Sequence, residues 1–321
     1  MAAEITEAAR PAAPAEGPGS RLAWRPGPEL AVCDAHLHVF GPVSVYPTAK
    51  GTTSAPESTF ARYLSLAEGM GIRRLVLVQP SAYGPDNRCL LDALDALGSK
   101  RVRGVVVVGD ARPSDSTLEH WRALGVCGLR CICFPPGTAT HGATGGADGG
   151  SGGAEGFAEA MRPVLERQAG LAAELGWHLD VLAPGWLVFE LRELFEAMPA
   201  DVCFAHLGMF PAEHGPEQPG FRWMLDLLSD AARRRFAKVT GPYRISDHPR
   251  FEDAGAMARA AYDRAPDRLV WGSDSPHLSF PGVRTADMLD LAAEWFPDEA
   301  SRQAVLVQNA TALYGFEEVN T

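Results

Sequence analysis

No run of apolar residues in this chain approaches the roughly 20 that cross a bilayer, which excludes a helical membrane protein. Net positive charge is missing too. The 29 Lys and Arg stand against 40 Asp and Glu, and the formal charge of −11 disfavours nucleic acid and anionic membranes as partners. A small anionic substrate is still compatible, because a few pocket arginines reverse the potential locally. No CxxC pair occurs among the six cysteines (Cys33, Cys89, Cys127, Cys131, Cys133, Cys203), and most lie in apolar runs. They are expected to be reduced thiols of a cytoplasmic protein. Neither a GxGxxG turn after an early strand nor a P-loop is present, which removes the common nucleotide-binding sheets. Residues 1–27 are rich in Ala, Pro, Glu and Gly without an apolar signal-peptide core, and they are expected to form a disordered arm.

What is present is a regular alternation. Short apolar runs at 30–39, 75–78, 105–108, 126–134, 177–182, 202–206, 236–241 and 269–274 read as strands. Helical spacing of apolar residues fills the intervals at 58–70, 86–97, 114–123, 157–175, 188–198, 221–234 and 251–264, with terminal helices at about 284–296 and 299–314. Near-continuous apolar strands separated by helices indicate a covered parallel sheet. Eight such units predict a (β/α)8 TIM barrel, one α/β domain over residues 28–321. The Gly-rich segment 137–156 breaks the rhythm and reads as a flexible insertion. Seven tryptophans and the terminal helix pair leave a homo-oligomer open.

In a barrel the active site forms at the C-terminal ends of the strands, so the polar residues there carry the information. The first strand delivers Asp34-Ala35-His36-Leu37-His38, and strand alternation predicts that Asp34, His36 and His38 share a face. The second ends in Gln79-Pro80-Ser81, with Tyr83, Asp86 and Asn87 in the loop. Arg130 alternates with the cysteines of the fourth strand and is expected in the lumen, held by a substrate carboxylate or by an internal Asp. His178 opens the fifth strand and reads as a structural histidine near the barrel floor. His206 ends the sixth, Arg244 follows the seventh, and Asp274 and His277 close the eighth. A carboxylate beside converging histidines suits a general base for water. With a divalent metal, His36, His38, His206 and Asp274 would instead be ligands of a hydroxide source.

These motifs resemble the amidohydrolase superfamily. Within it, Asp34-Ala-His-Leu-His-Val-Phe-Gly-Pro42, Val78-Gln-Pro-Ser81, Gly128-Leu-Arg130, His206-Leu-Gly208, Lys238-Val-Thr-Gly-Pro-Tyr-Arg-Ile-Ser246 and Trp271-Gly-Ser-Asp-Ser-Pro-His277 resemble the 2-pyrone-4,6-dicarboxylate lactonase group. The resemblance implies a hydrolase that opens a carboxylate-bearing lactone. Asp274 would activate water, and His36, His38 and His206 would polarise the scissile carbonyl directly or through a metal. Arg130 and Arg244 would bind substrate carboxylates, Tyr46, Ser81 and Asn87 would line the substrate, and His277 would shuttle a proton. A metal-dependent decarboxylase or a lactone isomerase on the same barrel is the alternative. The group's second arginine after the fourth strand is here Pro136, and its tyrosine ending the fifth is here Leu182. A substrate other than pyrone dicarboxylate, with fewer or differently placed carboxylates, is therefore expected. A binuclear centre would need a bridging Lys or Glu ending strand four and a His ending strand five. The resemblance leaves one divalent metal, zinc, or none, and the arginines favour none.

Overall fold

The computed structural model describes residues 24–27, 30–49, 60–135, 151–277, 280 and 282–317, with backbone alone for 151–155. Eight strands form one parallel sheet in sequential order: β1 (Val32–Leu37), β2 (Ile72–Val78), β3 (Val102–Val106), β4 (Val126–Ile132), β5 (His178–Leu182), β6 (Val202–Phe204), β7 (Arg235–Val239) and β8 (Leu269–Trp271). Past the last strand, Asp274 N donates to His36 O at 2.8 Å and His38 N to Ser275 O at 2.9 Å, which brings the β8 exit against β1. This is the expected barrel.

Helices occupy the intervals: α1 (Phe60–Gly69), α2 (Arg88–Leu97), α3 (Asp115–Leu124), α4 (Ser151–Leu175), α5 (Gly185–Glu190), α6 (Arg192–Ala197), α7 (Pro219–Ser229), α8 (Glu252–Arg264), α9 (Thr285–Trp295), α10 (Glu299–Gln303) and α11 (Asn309–Tyr314). The single helix expected over 188–198 is two, divided at Leu191, and a wider π turn at Ala304–Gln308 interrupts the last helix. Residues 151–156, expected in the flexible insertion, are the first turns of α4. The rest of that insertion, and the arm before residue 24, lie outside the described residues.

The apolar residues divide by face. Val32, Leu75, Leu77, Leu129, Leu179, Val181, Phe204 and Trp271 join the helices in the larger core. Cys33, Ala35, Val76, Val78, Val105, Cys203, Phe236 and Val270 fill the lumen, closed by Leu313, Tyr314 and Phe316 from the C-terminal segment. Large apolar side chains thus plug one end and leave the other to polar groups.

Candidate active site

Two of the site's side chains owe their aim to the backbone just past a strand. β6 stops at Phe204, not at His206, and His206 (φ 50°), Leu207 (51°) and Gly208 (71°) then turn left-handed. β8 stops at Trp271, and Asp274 takes φ 59°. A non-glycine residue held left-handed costs about 1–3 kcal/mol, and such residues concentrate at functional sites. The neighbouring glycines explain how the two turns come so close. A Cβ on Gly241 would stand 2.9 Å from His206 Nδ1 and 3.1 Å from Asp274 Oδ2, and one on Gly272 would meet His36 N at 2.6 Å.

Asp34 departs from the expected face. The β1–β2 register shifts between Asp34 and Leu37, so His36 turns inward while Asp34 packs toward α1. There it accepts from the Tyr63 hydroxyl at 2.5 Å and from Ser273 N at 2.8 Å. The burial of Asp34 raises its pKa, and these bonds pull the other way. It ties β1 to the β8 loop and belongs to the frame.

Inside, the imidazoles of His36 and His38 are 5.0 Å apart and those of His36 and His206 are 5.2 Å apart. Asp274 faces them asymmetrically. Its Oδ2 accepts from the Tyr243 hydroxyl at 2.7 Å and from Arg244 Nε at 2.8 Å. Its Oδ1 is buried without a hydrogen-bond partner, 3.6 Å from His36 Nε2 and 3.5 Å from His38 Nε2. Nε2 of His36 and of His206 are likewise buried and unpartnered. Burial alone would raise the Asp274 carboxyl, but Arg244, the His38 contact and the other imidazoles hold it well below the usual carboxylate range. Burial pushes His206 down to about 3, and burial with the Lys238 charge holds His36 well below its ordinary value. Near neutrality the site is therefore an ionised carboxylate among neutral rings. The His36 and Asp274 side chains have no exposure, whereas His38 keeps 11% and Arg244 10%.

His277 does not reach this cluster directly. Its Nδ1 lies 3.0 Å from the Tyr243 hydroxyl and its Nε2 3.2 Å from Thr285 Oγ1, so its ring reaches the Asp274 carboxylate through Tyr243. Burial pushes it down to about 4. Arg130 points into the lumen, where its Nη1 donates to Gln79 O at 2.6 Å and its Nε lies 3.9 Å from Asp180.

Two residues expected to line the substrate are occupied elsewhere. Asn87 is saturated by backbone, donating to Pro85 O and Val107 O while accepting from Val107 N at 3.0 Å. The Tyr46 hydroxyl donates to Asp92 of α2 at 2.7 Å. Ser81 is exposed on the turn after β2. Leu182 is buried at the end of β5, and Pro136 lies outside the described residues.

Three participants were not singled out from the sequence. Tyr243 bonds the carboxylate, and Asp180 and Lys238 form a fully buried pair at 2.5 Å beneath His36. An Asp and a Lys at lumen positions of β5 and β7 are the available signal, since buried charges need partners. His178 sits low in the barrel, its Nδ1 3.0 Å from Cys127 O and its ring edge-on to Tyr314.

The model of the amidohydrolase family matches residues 33–316. A 4-sulfomuconolactone hydrolase of Rhizobium radiobacter is 32% identical over 289 residues, 88% of this chain and 89% of that one. A 2-pyrone-4,6-dicarboxylate hydrolase of Comamonas testosteroni is 28% identical over 89% and 90% of the two chains. A solved structure described as a 2-pyrone-4,6-dicarboxylic acid hydrolase of Acinetobacter baumannii, with citric acid bound, superposes with a TM-score of 0.69 at 25% identity, covering 89% and 100%. By this match across nearly all its described length, the chain belongs to the amidohydrolase family.

Proposed function

We propose that the protein is a hydrolase that opens a lactone bearing an acidic group, with Asp274 taking the proton of the attacking water. One observation carries this reading. The carboxylate is ionised, its Oδ2 is tied by two donors, and its Oδ1 is left bare toward three imidazoles. A carboxylate held so acidic is a weak base, so the water must lose its proton in concert with polarisation of the carbonyl. Arg244 at the mouth and Arg130 deeper in suit an anionic substituent, and relatives named for sulfonated and dicarboxylated substrates support that class. Leu182 in place of a hydroxyl favours a substrate other than pyrone dicarboxylate.

His36, His206 and Asp274 offer ligand atoms within 4.8 Å of one another, a spacing that would suit a metal ion. Asp274 Oδ1 and His206 Nε2 fit such a role. His36 does not, because its Nδ1 faces the Lys238 ammonium at 3.2 Å and its proton therefore sits on Nε2, where a ligand needs a lone pair. The metal-independent reading rests on that donor proton of His36. The six cysteines are unpaired, in keeping with a cytoplasmic protein.

The test is a panel of acidic lactones given to the purified protein. Ring opening of at least one is expected, with pyrone dicarboxylate not the best. No turnover of any, or pyrone dicarboxylate as the best substrate, would contradict the respective part.

A further inference from the structure

We propose that Lys238 fixes the tautomer of His36, and that the three imidazoles of the site consequently perform two different tasks. Lys238 lies on β7 with no exposure. Its ammonium is 2.5 Å from Asp180 Oδ2, donates to Ala35 O at 3.1 Å and stands 3.2 Å from His36 Nδ1. An ammonium has three donors and no acceptor, so toward the Ala35 carbonyl and the His36 ring it can only donate. His36 Nδ1 accepts, so the neutral ring carries its proton on Nε2, the atom left bare toward the site.

His38 and His206 are arranged the other way. Their Nδ1 atoms face backbone carbonyls, Val78 O at 2.7 Å and Thr240 O at 3.2 Å. A carbonyl only accepts, so each ring carries its proton on Nδ1 and presents a lone pair at Nε2. A lone pair cannot polarise a carbonyl oxygen. Of the three rings, His36 is the donor for the scissile carbonyl, while His38 and His206 accept from water. At 3.5 Å, the His38 Nε2 lone pair and the buried Asp274 Oδ1 are two acceptors that a shared donor such as the water would bridge.

The hydrolytic step then balances on these atoms. The water oxygen bonds to the carbonyl carbon as its proton passes to Asp274 Oδ1. The carbonyl electron pair moves onto the oxygen, which His36 Nε2–H holds. Collapse breaks the ring C–O bond, and the proton on Asp274 passes to the departing oxygen. Lys238 touches neither substrate nor water, so it is a positioning residue, and Asp180 anchors it.

The catalytic part rests on the hydrolase reading, whereas the tautomer part does not. Long-range 15N–1H spectra of the labelled full chain, without ligand, read the tautomer of each histidine. Wild type is expected to show Nε2–H at His36 and Nδ1–H at His38 and His206. In Lys238→Met/Asp180→Asn, which removes both charges of that pair, His36 is expected to move toward Nδ1–H while the other two stay. Nδ1–H at His36 in wild type, or no change in the double variant, overturns the proposal. The wild-type spectrum decides it even if the variant fails to fold. With 4-sulfomuconolactone as the kinetic probe, the double variant is expected to lose about 100-fold in kcat with little change in KM. An unchanged kcat overturns the catalytic part. Absence of turnover of every lactone of the panel by wild type overturns the hydrolase reading and the roles resting on it, and leaves the tautomers to the spectra.

Discussion

Asp274→Asn preserves the shape of the side chain and removes the acceptor for the water's proton. A loss of about 10³- to 10⁴-fold in kcat is expected, with ligand affinity retained in a binding titration. Asn87 provides the contrast. Its amide holds both backbone groups of Val107, so Asn87→Ala should leave KM unchanged and cost about 1–3 kcal/mol in urea denaturation. The convergence of His36, His38, His206 and Asp274 is legible in the sequence because each follows an apolar run. Partnership is not: nothing in the order of residues shows that Asn87 is spent on Val107, or that Tyr46 is spent on Asp92. The role of Lys238 is hidden for the same reason, since it lies in Asp180, 58 positions earlier, and in His36.

At the level of elements, the eight strands and most helices follow from apolar periodicity. What it does not set is where a strand stops. The runs ending in His206 and Asp274 look extended, yet both strands end earlier and the chain turns left-handed to aim those side chains inward. Alternation puts Asp34 on the wrong face because it assumes an unbroken register, and β1 shifts between Asp34 and Leu37. The close approach of the β8 exit to β1 gives a test. In Gly272→Ala, the new methyl would meet His36 N and Cβ, each at 2.6 Å. A destabilisation of about 1–3 kcal/mol is expected from overpacking, read as a lower melting temperature, with a fall in activity as His36 is displaced.

For the whole molecule, the buried histidines set a pH dependence of stability. An unfolded imidazole titrates near 6.5, while burial holds His178 and His277 down to about 4 and His206 to about 3. Between these values the unfolded chain binds more protons than the folded one, so unfolding free energy rises with pH. That stability is complete above pH 6.5 and is lost as pH falls toward 4. Asp274 and Asp180, both held below the usual carboxylate range, add a further loss below about pH 3.8. Urea midpoints at pH 7.5, 6.5, 5.5 and 4.5 should fall steadily after the second, and a flat series would refute the assignment of neutral buried rings. Among the described residues no helix is long and apolar enough to cross a membrane.

The most direct measurement is turnover of an acidic lactone by wild type before and after exhaustive chelation, beside Asp274→Asn treated alike. Chelated wild type should keep its rate, and the variant should fall by about 10³-fold or more with substrate still bound. A chelated wild type that loses activity and regains it with zinc, or an Asp274→Asn protein that works as fast as wild type, would contradict the metal-independent, Asp274-based hydrolysis proposed for this site.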